Sequence, residues 1–210
     1  MTLRADQVRD IPLRARRLCG LAWSGQFLWF SEADQNRIMA VDPFSGTVAR
    51  RLDCPDVRTD LATRDGALLQ VVGVERAVRT IDPDTGEVLG ELPNPRPGHK
   101  LCGLEVSRHG RWLGYEDLRL IDLRDDDGLL LDSVPVSGAV AGVTVTDKHL
   151  VYADYPAGAL TVVDLARRRE IASYRVAGNP TGLTWDGGRV WYCDYTGCRL
   201  RAVTLPELTG

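Results

Sequence analysis

The sequence predicts an all-β fold, a five-bladed β-propeller with four antiparallel strands per blade. Three observations carry this expectation: a repeat of about forty residues, a turn signature that keeps the same step, and an opening segment that reads as the strand the last repeat lacks. The first marker, a small or polar residue followed by an aliphatic, occurs as Gly20-Leu21, Asp60-Leu61, Gly103-Leu104, Gly142-Val143 and Gly182-Leu183, at steps of 40, 43, 39 and 40 residues. The second is an Asp after a short apolar run, at Asp42, Asp82, Asp122 and Asp164. In Asp42-Pro43-Phe44-Ser45-Gly46 and Asp82-Pro83-Asp84-Thr85-Gly86 the Pro presets the first turn position and the Gly takes positive φ, so the chain reverses between two strands.

Between the turns lie short runs rich in Val, Leu, Tyr and Trp, such as Leu28-Trp29-Phe30, Leu150-Val151-Tyr152 and Val190-Trp191-Tyr192, with no 3.6-residue stripe. Repeat five runs through Leu200-Arg201-Ala202-Val203-Thr204 and reaches Pro206-Glu207-Leu208-Thr209-Gly210 where the other repeats turn into a fourth strand. Gln7-Val8-Arg9-Asp10-Ile11-Pro12-Leu13 resembles fourth strands such as Glu87-Val88-Leu89-Gly90-Glu91-Leu92-Pro93, so the N-terminal strand is expected to complete the last blade and close the ring. The reading is one domain over 1–210, with blades near 15–57, 58–97, 98–138, 139–177 and 178–210 plus 6–13.

Charge excludes broad partner classes. With 26 Lys+Arg against 29 Asp+Glu there is no surplus that would reward duplex nucleic acid or an anionic membrane, and Arg14, Arg16 and Arg17 read as a solvated loop. The first ten residues, from Met1 and Thr2 onward, contain no apolar leader core, and no stretch approaches a membrane span, so a cytoplasmic protein is expected. Five cysteines without close pairs fit a reducing compartment.

In a blade, the blade-to-blade connection and the loop between strands two and three share one face, which makes that mouth of the channel the candidate site for a small-molecule ligand. Glu32, Asp154 and Asp194 take equivalent places there, Val72 stands in blade two with Glu75 nearby, and blade three is read as a shortened hairpin at Tyr115-Glu116-Asp117. Carboxylates from several blades can act as acid and base or hold a divalent metal ion, with Glu32, Asp154 and Asp194 as the ligands; the alternative is that each acid caps its own loop. Glu116 and His99 join the catalytic candidates, and Tyr155, Tyr195, Cys19, Cys102, Asp60 and Arg58 the substrate-binding ones. Cys19 and Cys102 are equivalent and read either as thiolates or soft-metal ligands or as small buried residues. His109 and His149 fall in hairpins of the opposite face, and Trp29 and Trp191 read as packing between blades.

The phrase Thr181-Gly182-Leu183-Thr184-Trp185-Asp186-Gly187-Gly188-Arg189-Val190-Trp191-Tyr192-Cys193-Asp194, with Ile81-Asp82-Pro83-Asp84-Thr85-Gly86-Glu87-Val88, resembles the repeats of the NHL, SMP-30/gluconolactonase and virginiamycin B lyase group of propellers. It is also similar to the five-bladed glutaminyl cyclotransferases. The resemblance implies the fold and a metal or substrate site at the channel mouth. Gluconolactonase-like proteins carry Glu before the first-blade Gly, where Cys19 stands here, and the His-bearing loops of virginiamycin B lyase have no match. The expectation is a small-molecule lyase or hydrolase using carboxylates as base or metal ligands; the alternative is a non-catalytic propeller that binds a ligand or protein.

Overall fold

Strands this short, apolar on both faces, bury themselves only when sheets stack on sheets, and the chain does this five times around a ring. The computed structural model describes residues 3–208; Met1, Thr2, Thr209 and Gly210, on which part of the reading of the chain ends falls, lie outside the described residues. Strands β1 (Leu3–Arg4) and β2 (Asp6–Pro12) come first. Blade one is β3 (Leu18–Trp23), β4 (Leu28–Glu32), β5 (Arg37–Val41) and β6 (Val48–Asp53). Blade two is β7 (Val57–Arg64), β8 (Ala67–Val72), β9 (Ala77–Ile81) and β10 (Val88–Leu92). Blade three is β11 (Leu101–Ser107), β12 (Gly110–Tyr115), β13 (Leu120–Arg124) and β14 (Leu130–Pro135). Blade four is β15 (Val140–Val145), β16 (His149–Asp154), β17 (Ala159–Asp164) and β18 (Arg169–Arg175), and blade five is β19 (Pro180–Trp185), β20 (Val190–Asp194), β21 (Arg199–Thr204) and then β2.

The N-terminal strand therefore closes the ring. β2 runs antiparallel to β21 from Asp6 opposite Thr204 to Pro12 opposite Arg199, and Arg201 donates to Gln7 and Asp10 across the seam. One addition was not foreseen: β1 pairs in parallel with the outer strand of blade four, Leu3 opposite Tyr174, giving that blade a fifth strand. Among the described residues no helix is long and apolar enough to cross a membrane.

The apolar residues gather in five clusters between blades rather than in one central core. Ile11, Leu21, Phe30 and Trp191 fill the gap between blades five and one, and Trp29, Leu61 and Leu68 that between one and two. Both tryptophans act as filler between flat sheets, as large aromatics do.

At the ring centre the inner strands approach so closely that the Gly-Leu markers acquire a physical cause. A Cβ at Gly142 would stand 2.2 Å from the Thr181 carbonyl oxygen, one at Gly20 2.6 Å from the Leu61 nitrogen, and one at Gly182 2.7 Å from Oδ1 of Asp60. Four glycines leave room for one side chain, and Asp60 takes it. Its Oδ1 accepts from the N–H groups of Leu61 (3.0 Å) and Leu21 (3.3 Å), and Oδ2 from those of Leu104 (3.0 Å) and Val143 (3.3 Å), so one carboxyl group joins the inner strands of four blades. Burial pushes its pKa well above the usual carboxylate range, against the pull of the four donors. Asp60 is completely buried, which corrects its expected place among the substrate-binding residues.

Two residues beyond the plug, Glu105 holds the equivalent of Ala22, Ala62, Thr144 and Thr184 on the inner strands. It accepts from the Thr144 hydroxyl at 2.8 Å and its own neighbour's N–H, Val106, at 2.9 Å, and burial pushes its pKa up to about 7.

Two outcomes follow. Asp60→Ala would strand four buried N–H groups, each costing about 1–3 kcal/mol, so urea unfolding should show a loss of at least about 3 kcal/mol. Because folded Glu105 holds its proton more tightly than the unfolded chain does, its contribution to stability is complete below its ordinary pKa of 4.5 and lost as pH rises through about 7. The difference in unfolding free energy between the wild type and Glu105→Gln should change across that window and be flat above and below it.

Candidate functional site

On one face the second and third strands of every blade are joined by a four-residue loop, 33–36, 73–76, 116–119, 155–158 and 195–198. Each loop ends in the left-handed region, with φ of 52° at Asn36, 56° at Arg76, 50° at Arg119, 60° at Gly158 and 53° at Cys198. That shared geometry corrects the expectation for blade three. Its loop is not shortened; Tyr115 is the counterpart of Glu32, Val72, Asp154 and Asp194. Asp122 lies inside β13 instead of ending it, held by Arg96 at 2.7 Å and Arg124 at 3.0 Å, and it is Asp125, before the Gly128 turn, that matches Asp42 and Asp82.

Inside the ring of loops is a cavity of about 460 Å³, an ordinary size for a small-molecule site. Cys19, Thr59, Cys102, Ala141 and Thr181 line it, and the next residue in each strand belongs to the Gly-and-Asp60 layer, which forms the floor.

The three acids expected as metal ligands are absent from its lining and hold the rim instead, Asp154 and Asp194 capping their own loops and Glu32 the segment before β3. Glu32 accepts from the Arg16 N–H at 2.9 Å and from Arg37 at 3.2 Å. Asp154 accepts from the Ala157 N–H at 3.2 Å. Asp194 accepts from the N–H groups of Gly197 (3.0 Å) and Asn179 (3.1 Å) and from Arg201 Nε (3.0 Å); a Cβ at Gly178 or Gly197 would fall 2.1 Å from that carboxylate. Among the described residues no three His, Cys, Asp or Glu side chains stand where they could hold a metal ion together, so Glu32, Asp154 and Asp194 do not form the expected ligand set. His99 is also outside the lining, its Nδ1 3.0 Å from Oδ2 of Asp117.

Glu116, Arg58, Cys19, Cys102, Tyr155 and Tyr195 do face the cavity, drawn from all five blades. Glu116 is the one carboxylate in the lining among the described residues. The Cys102 thiol lies 3.7 Å from its Oε2 and 3.1 Å from Nη1 of Arg76, which also donates to the Leu101 carbonyl at 2.9 Å. Burial outweighs Arg76 and pushes the Cys102 thiol up to about 11; burial pushes Cys19 up to about 12. Both thiols are therefore protonated near neutral pH and are poor nucleophiles. Across the mouth, Tyr155 and Tyr195 meet edge to face, ring centres 5.8 Å apart at 89°. Arg76 was not among the residues singled out from the sequence, and Arg17, read there as part of a solvated loop, lines the cavity as well. For Arg76 the available signal was its position at the end of the blade-two loop, in register with Asn36 and Cys198.

No protein-family model matches the chain, and no curated protein matches it. Solved structures do. Glutaminyl cyclase of Myxococcus xanthus superposes with a TM-score of 0.78 over 97% of both chains, at 14% identity. A catalytically inactive virginiamycin B lyase of Staphylococcus aureus, crystallised with quinupristin, gives 0.57 over 90% of this chain and 66% of its own, at 17% identity. A streptogramin B lyase gives 0.56 over 93% and 69%, also at 17%. At these identities the likeness is one of fold, and it agrees with the propeller families that the blade pattern resembles.

Four of the five free cysteines are buried, Cys198 being partly exposed on a loop of this face. Iodoacetamide at neutral pH should label Cys198 alone in the native protein and all five in denaturant, as read by mass spectrometry of the digested chain.

Proposed function

We propose that the chain is a small-molecule enzyme working at this mouth, a lyase in which Glu116 is the base. The observation that supports the reading is the state of Glu116: among the described residues it is the only acid in the cavity lining, and its carboxylate is bound to no loop N–H, with the Cys102 thiol and Lys100 Nζ, each at 3.7 Å, beside it. In such an elimination Glu116 takes the proton from a carbon next to an acyl group. The C–H electron pair becomes the new double bond as the bond to a leaving oxygen breaks, and a phenol, Tyr155 or Tyr195, protonates that oxygen. The chemistry asks for one free base and a proton donor in a small cavity, and these residues supply both. Two of the superposed structures are themselves lyases.

One observation favours a second reading, a propeller that grips a small molecule without altering it. The channel is plugged, and the carboxyl that plugs it, Asp60, is taken up by structure.

Incubation with a panel of small cyclic esters, and separately with quinupristin, followed by mass spectrometry separates the outcomes. Elimination opens a cyclic ester at unchanged mass, whereas hydrolysis adds one water. Glu116→Gln should lower kcat/KM by about 10²–10⁴-fold with an unchanged melting temperature. Ligands that raise the melting temperature without any product would sink the lyase reading in favour of the binder.

A further inference from the structure

The mouth carries more positive charge than its own acids neutralise. Arg17 is paired with Asp34 at 3.1 Å, and Glu116 has Lys100 at 3.7 Å. Among the described residues Arg76 makes no ion pair; one nitrogen is occupied by a carbonyl and a thiol. Among the described residues the Arg58 side chain makes neither a hydrogen bond nor an ion pair. Two guanidinium groups thus line one cavity without a carboxylate partner, in a chain whose net charge is −3. An unpaired guanidinium at a partly desolvated mouth is a fork of donors that an anionic oxygen group fits.

The lining is also divided by side. Blades follow one another in chain order around the ring, so Arg58 and Arg76 of blade two and the tyrosine pair of blades four and five stand apart, with Cys102 and Glu116 of blade three between them. Apolar Val57, Val140, Ala139 and Ala141 complete the wall.

We infer that the ligand of this mouth is a small amphipathic carboxylate, its anionic end on Arg58 and Arg76 and its planar apolar end against Tyr155 and Tyr195. The inference rests on the reading of this cavity as a small-molecule site and names the class of molecule it takes. Such a ligand lays its middle over blade three, where Glu116 stands. Aromatic edges and faces favour a flat apolar partner, and two guanidinium groups favour a carboxylate over the neutral amide of the same shape.

The test is calorimetric titration at constant ionic strength with benzoate, phenylacetate and phenylpropionate, beside phenylacetamide and inorganic phosphate. At least one aryl carboxylate should bind, phenylacetamide and phosphate each about tenfold more weakly or worse. Arg58→Gln, at an exposed side chain with no partner to lose, should weaken the carboxylate by about tenfold, and Tyr195→Ala should weaken it while leaving phosphate unaffected. The inference is overturned if none of the three carboxylates binds, if the amide binds as well as the acid, or if Arg58→Gln changes nothing. Phosphate binding as tightly as the best carboxylate would overturn the amphipathic class in favour of a plain anion site. Glu116→Gln separates the two readings: carboxylate binding that persists in this variant while turnover is lost supports both, and binding lost in Arg58→Gln with turnover unaffected by Glu116→Gln keeps the ligand class and removes the base.

Discussion

Everything in this molecule is arranged around one carboxyl group at the centre of the ring. Five inner strands cannot converge on an axis if each carries a side chain there, and four of the five positions are glycine for that reason. Convergence leaves inner-strand N–H groups pointing at the axis with no neighbouring strand to accept them, and buried unpaired donors are costly. Asp60 answers both constraints. It fills the space the glycines leave and accepts from four blades at once, so the blades are joined by a polar hub as well as by the apolar clusters between them.

The hub also determines what the mouth can be. A closed floor turns the channel into a cup, and the residue just before each hub position becomes the cup's lower wall. Glu32, Asp154 and Asp194 at the loop starts are consumed in holding the rim's shape, and the side chains that the loops carry inward are others: Glu116, Arg76, Tyr155 and Tyr195. Rigid acids in the rim and free groups inside it are two products of one loop geometry, repeated with different side chains.

The fold was legible because steric demand at the axis is written in the sequence as the Gly-Leu markers, and because the edge strand missing from blade five has a match in 6–13. The candidate site was less so. Repetition places a carboxylate at the same loop position in three blades, but sequence cannot tell a carboxylate that faces a ligand from one that faces its own backbone N–H groups, since both uses favour Asp or Glu at a loop start. Asp122 misled by a different route. A charged residue inside a strand interrupts the apolar run that marks the strand's end, and here it is tolerated because Arg96 and Arg124 neutralise it. Placing the strand end three residues early made a normal loop look short. Asp60 was read as a ligand-facing acid because nothing local distinguishes it; only the ring brings the four N–H groups to it.

The seam has a consequence for how the chain reaches this state. β2 joins β21 across about 190 residues, and β1 reaches the outer edge of blade four, so the segment 3–12 finds its partners at the largest sequence separations in the fold. Until blades four and five exist, 3–12 has no place to dock, and blade five has an open edge until it arrives. Closing so long a loop is entropically slow, and an unpaired edge is what aggregation exploits. Ring closure therefore rests on the pairing with the longest sequence separation, and a ring in which that pairing is open exposes the edge of blade five to its neighbours.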